Sequence, residues 1–299
     1  MRLTFKTEPD LSVLHAAAVV GLGLPTIDEK LTSALTGPVG RINARLELSE
    51  LDSISFWLWL VRCSLADDAK RVEYALMRAG CSELAVDSIA PAVVGQLTDA
   101  RLAFRGRYPK LVEQLPLRSG PLRELWDAAG PGLLREVGRR TVSTIIPSKA
   151  TLLLLQPVRG GDGGLIDRDE TVWIEAVLTH PEPSIPETLR LVWLLARKGV
   201  DRIESNRWVQ PERLPQVFAL ALIPFVLGAG RELGLCRAGE SEIVRAVELW
   251  HASEICQSGT STESLVRWWA QMREGELPLP VALKALDKML DDSEGNPSS

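Results

Sequence analysis

Histidine is scarce. The 299 residues hold only His15, His180 and His251, and no two lie near one another. The His-Glu-x-x-His hook, which sets two imidazoles one helical turn apart, is therefore absent. The four cysteines, Cys63, Cys81, Cys236 and Cys256, stand singly, with no Cys-x-x-Cys pair. That spacing excludes a disulfide-dense scaffold and suits free thiols in a reducing cytoplasm. Cys236, His251 and Cys256 lack the compact spacing of a structural zinc site, so no metal and no cofactor is expected. A Gly-x-Ser-x-Gly nucleophile elbow is missing too. The longest apolar run, Val217–Gly230, has 14 residues and is interrupted by Pro224. A bilayer span takes about 20, so no membrane attachment is expected. Glu8, Pro9 and Asp10 stand where a signal peptide is basic, and Leu11–Val20 reads as an ordinary helix capped by Asp10. The formal net charge is only -5, which excludes a polycation.

What is present is the composition of a globular protein, 45% hydrophobic and 24% charged. The first half reads as short helices. Ser49 and Asp52 cap a run to Leu65 that is apolar on nearly every side, as a central helix is. Asp67–Ala79 is amphipathic and ends at Gly80. Further helices are expected near 88–103, 109–115, 121–128 and 132–141, with Pro109, Pro121 and Pro131 near their starts. After residue 180 the helices return. Pro186–Arg197 is apolar through its middle, Leu214–Gly228 is similar, and three amphipathic helices follow.

Between these halves lie two short apolar runs, Thr151–Val158 and Thr171–Thr179, around a loop holding Gly160, Gly161, Gly163 and Gly164. They read as an antiparallel β-hairpin over 151–178 with a mobile glycine loop. The fold class is thus mainly α with a small antiparallel β element, a multi-helix globular domain (α+β). One domain is expected over 1–292, with a disordered tail at 293–299. The loop does not read as a phosphate cradle. No helix follows it, and Asp162, Asp167, Asp169 and Glu170 would repel an anion.

Two neighbourhoods carry candidate chemistry. Glu175 lies in an apolar strand, with His180 and Glu187 close behind, and a desolvated carboxylate beside an imidazole is the pattern of a general base. The same pattern suits a structural ion pair. Residues 101–160 hold eleven Lys/Arg against four Asp/Glu, a net of +7, which leaves -12 for the rest. Arg101, Arg105, Arg107, Arg135, Arg139 and Arg140 are the candidates for contact with nucleic acid or another anion. The competing reading is a solvated or internally paired surface.

The stretches Tyr108–Leu134 (YPKLVEQLPLRSGPLRELWDAAGPGLL) and Glu175–Ala196 (EAVLTHPEPSIPETLRLVWLLA) resemble a family of uncharacterised bacterial proteins, a likeness that implies no activity. The order of helices, strand pair and buried helix also resembles that of zincin-like peptidases. On that likeness Pro186–Arg197 takes the place of the metal-binding helix, yet it holds no histidine. The expected function is that of a non-catalytic cytoplasmic interaction or scaffold protein with an unknown protein partner. The alternatives are a hydrolase-like or small-molecule enzyme using Glu175, His180 and Glu187, and a nucleic-acid binder using residues 101–140.

Overall fold

The computed structural model describes residues 1–167, 169–202, 209–252, 261–275 and 278–294. The chain is mainly helical with a small four-stranded mixed sheet. It forms two compact units. The sheet unit comprises Thr4–Gly120 and Thr151–Leu178, and the helical unit comprises Met1–Leu3, Pro121–Ala150 and Thr179–Ser299.

In the sheet unit, β1 (Arg2–Thr7) leads into α1 (Pro9–Gly21). Every residue of α1 from Leu11 to Val19 is buried, because α2 (Glu29–Leu48), α3 (Ser53–Arg62) and α5 (Glu83–Arg107) all pack on it. At the end of α1 a Cβ on Gly21 would overlap the Trp57 indole. The indole Nε1 donates to Asn43 Oδ1 at 2.8 Å, and Asn43 Nδ2 donates to the Gly21 carbonyl at 2.8 Å. Asp52 caps α3 by accepting the Ile54 and Ser55 amides. The expectation that α3 is covered all round is corrected. Phe56, Trp57, Leu60 and Val61 are buried, while Ile54 and Leu58, one turn apart, are exposed. α4 (Asp68–Arg78) ends before Gly80, whose φ of +99° supplies the left-handed turn. α6 (Leu111–Arg118) closes this helical set.

The sheet departs from the antiparallel hairpin. β2 (Lys149–Leu155) and β4 (Thr171–Glu175) pair parallel, Thr151 opposite Thr171 and Leu155 opposite Glu175. Between them in sequence, β3 (Gly163–Leu165) pairs antiparallel with β4, in the spatial order β1-β2-β4-β3. The true hairpin is β3–β4, and the glycine loop is the arch that carries the chain past the place β4 then fills. Burial favours this arrangement. β4 is apolar on both faces and Val172–Glu175 is wholly buried, so it belongs inside a sheet between two neighbours.

The helical unit holds α7 (Gly120–Arg140), one helix where two were expected. Pro131 interrupts the ladder but not the helix, because Leu122, Trp126, Leu133, Leu134 and Val137 continue one buried face across it. α8 (Glu187–Arg197) packs on α9 (Leu214–Glu232), and Leu191, Trp193, Leu194 and Leu195 are fully buried, as the sequence predicts. α9 is long and apolar enough by length and composition to cross a membrane. Its apolar stretch Val217–Gly230 is instead buried by α8, α10 (Glu240–Leu249), α11 (Ser261–Gly275) and α12 (Leu279–Glu294). Ser293 and Glu294 continue α12, and the rest of the expected tail lies outside the described residues.

Candidate functional site

The first candidate catalytic group, Glu175, ends β4 and is 1% exposed. Its partner is His15 of α1, whose Nε2 donates to Oε1 at 2.8 Å. Oε1 also accepts the amides of Val158 (2.8 Å) and Arg159 (2.9 Å), and Oε2 accepts Gly161 N at 2.7 Å. The chain curls round the carboxylate because Gly160 and Gly161 take φ of +86° and +134°, conformations that side chains resist. The glycine loop thus does cradle an anion, and the anion is the protein's own. Burial alone raises the Glu175 carboxyl, but the His15 hydrogen bond and charge and the loop amides outweigh it and hold the group below its ordinary value. Two amides of the loop expected to be mobile, those of Arg159 and Gly161, are committed together with that of Val158 to this one buried carboxylate.

His180 and Glu187 belong to the helical unit. There His180 Nδ1 accepts the Glu187 amide at 3.2 Å, and burial lowers the imidazole below its ordinary value. Glu187 opens α8 as a buried group, 4% exposed, with Arg190 Nη2 at 3.4 Å, and is not the solvated first-turn carboxylate its position suggests.

The six candidate arginines are divided between the units. In the sheet unit Arg101 pairs with Asp68 at 2.7 Å, Arg105 with Asp10 at 3.4 Å, and Arg107 with Asp28 at 2.8 Å. Asp28 is held further by Tyr108, whose hydroxyl donates at 2.8 Å and is pushed up to about 12 by burial and by that carboxylate. In the helical unit Arg139 and Arg140 both bind Glu136, and Arg140 also meets Glu232 at 3.1 Å. Arg135 is exposed. Five of the six are thus neutralised within the chain, by Asp10, Asp28, Asp68, Glu136 and Glu232.

An open cleft of about 540 Å³ lies in the sheet unit at the start of α1, a size suited to a small ligand. α1 contributes Asp10 and Leu11 just after Glu8, the loop into α4 contributes Cys63, Ser64 and Ala66, the sheet contributes Leu153 and Thr171, and the turn after β3 contributes Ile166. An alternating row of charges crosses it: Arg71–Asp68 at 3.7 Å, Asp68–Arg101 at 2.7 Å, Arg101–Asp10 at 3.9 Å and Asp10–Arg105 at 3.4 Å. Two further carboxylates in the lining, Glu8 and Asp169, make no ion pair among the described residues. Burial and then Asp10 push Glu8 above the ordinary carboxylate value, against the pull of Arg71. Of this constellation only Arg101 and Arg105 stood out in the sequence. Glu8 precedes α1 while Asp68 and Arg71 share α4, and only the Asp68–Arg71 spacing of three was there to be read.

Among the described residues no group of three or more His, Cys, Asp and Glu side chains is placed to hold a metal ion. Cys63 and Cys81 are buried free thiols, while Cys256 lies outside the described residues. No family model, curated protein or solved structure matches this chain.

Proposed function

We propose that this chain is a non-catalytic binding protein whose working site is the cleft at the start of α1. The observation that carries the reading is Arg71. Its side chain is 13% exposed and lines the cleft, yet it makes no hydrogen bond among the described residues, and its Nε is fully buried without a partner. A guanidinium carries five donors, and those of Arg71 that face the open cleft are left for solvent or a ligand to meet. The acid–base alternative is less well supported. Glu175 accepts four hydrogen bonds and is shut from solvent, so it has no free position for a substrate proton. The nucleic-acid alternative needs unneutralised arginines, and all but Arg135 of the candidates have carboxylate partners.

A denaturant melt of Arg71→Met without ligand tests the reading. Asp68 keeps Arg101, so that carboxylate stays paired in the variant. We expect a stability within about 1 kcal/mol of the parent, or above it, as for residues kept for function rather than for the fold. A loss of about 3 kcal/mol or more, the cost of breaking a structural buried pair, would make Arg71 part of the fold and remove the basis for the site.

A further inference from the structure

We infer that the cleft takes a small aliphatic zwitterion, an ammonium carboxylate of the amino-acid class, with its carboxylate on Arg71 and its ammonium between Glu8 and Asp169. This rests on the binding-protein reading above and adds the ligand's chemistry. The donors come first. Asp68 sits 2.7 Å from Arg101 but 3.7 Å from Arg71, so Arg71 is the less satisfied of the two cations. A planar guanidinium with open donors matches a carboxylate through two parallel hydrogen bonds.

The acceptors come next. Glu8 and Asp169 line the same cleft and make no ion pair among the described residues, and an ammonium supplies three donors to such a pair. Glu8, Asp169 and Arg71 line one cleft of about 540 Å³, so the two ends of the site lie within reach of one small molecule. Net charge decides the class. The lining holds three guanidinium groups and four carboxylates, already slightly acidic, so a dianion adds repulsion at Glu8 and Asp169. A dication leaves Arg71 unmet and faces it with like charge. A zwitterion satisfies both ends and changes the net charge by nothing. Leu11, Leu153 and Ile166 line the cleft as apolar surface for the methylenes between the two charged ends.

The test is calorimetric titration of the full chain with glycine, γ-aminobutyrate and δ-aminovalerate, beside glutarate and cadaverine as a dianion and a dication of similar length. We expect saturable binding of at least one zwitterion at millimolar concentration or below. That affinity should fall at least about tenfold in Arg71→Met and in Asp169→Asn, as when a charged hydrogen-bond partner is removed. Circular dichroism confirms that each variant is folded, and Arg71→Lys serves if Arg71→Met is not. Glutarate or cadaverine binding as tightly, with the same dependence on Arg71, overturns the zwitterion while leaving the cleft a binding site. Binding that ignores both variants overturns the location. Silence from all five probes overturns the binding-protein reading together with the inference.

Discussion

At the residue scale the most consequential contact is that of Glu175 with His15, 160 residues apart in the chain. Gln at position 175 keeps the shape but turns one acceptor into a donor among amides that already donate. Glu175→Gln should cost about 3–5 kcal/mol, as breaking a buried ionic network does, and a urea melt measures it. A nearly neutral variant would show that the carboxylate does not organise the loop. The pH dependence has a definite sign. The folded carboxyl lies below its unfolded value, so its contribution is complete above about pH 4.3 and is lost as pH falls through the folded value. Stability of the parent should therefore decline on acidification more steeply than that of Glu175→Gln. The carboxylate's need for a partner was readable from its apolar strand. The partner was not, because His180 is near in sequence and His15 only in space.

At the element scale the parallel β2–β4 pair and the arch between them make a second prediction. Ala at position 161 would have to take the φ of +134° that glycine holds there. Gly161→Ala should cost more than about 1 kcal/mol, and the amides of Val158, Arg159 and Gly161 should exchange slowly with solvent. Fast exchange at all three would bear out a mobile loop. A third prediction concerns α8. Leu194 is fully buried, so Leu194→Ala should cost about 2–5 kcal/mol in a denaturant melt. Glu187→Gln, at a position 4% exposed beside Arg190, should also destabilise, where a solvated first-turn carboxylate would be nearly neutral. α8 and the amphipathic C-terminal helices were legible because a buried stripe repeats at the helical period. β1 was missed although Leu3 and Phe5 alternate with polar neighbours, since six residues of which three are exposed and none is buried carry a weak signal. Strand direction was missed because apolar runs do not encode it, and a sequence neighbour is the simplest partner to assign.

At the scale of the whole molecule, charge and thiols behave alike in being settled internally. The Arg139 hydrogen bond, followed by that of Arg140, holds the Glu136 carboxyl at about 2, against the effect of burial. Its contribution is present above about pH 4.3 and lost only as pH falls towards that low value. Burial raises the thiols of Cys81 and of Cys236, the latter to about 11 with help from Glu242. Thiolate is the reactive form, so iodoacetamide at pH near 8 should label both slowly in the native protein and fully after denaturation. Rapid native labelling of either would show that its surroundings are open.

The sequence by itself determined the mainly helical class and the buried faces of α8, α9 and the helices after them, because hydrophobic periodicity is a local property of the chain. It also excluded the compact zinc and nucleophile motifs, which are likewise patterns of near neighbours. Tertiary structure alone decided that β2 and β4 run parallel, that His15 meets Glu175, and that five of the six candidate arginines are spent on Asp10, Asp28, Asp68, Glu136 and Glu232. It alone assembled the cleft of Glu8, Arg71 and Asp169. The physical reason is the same in each case. Which charge neutralises which, and which strand lies beside which, depend on distances that folding creates between residues far apart in the chain, and composition and spacing do not contain those distances.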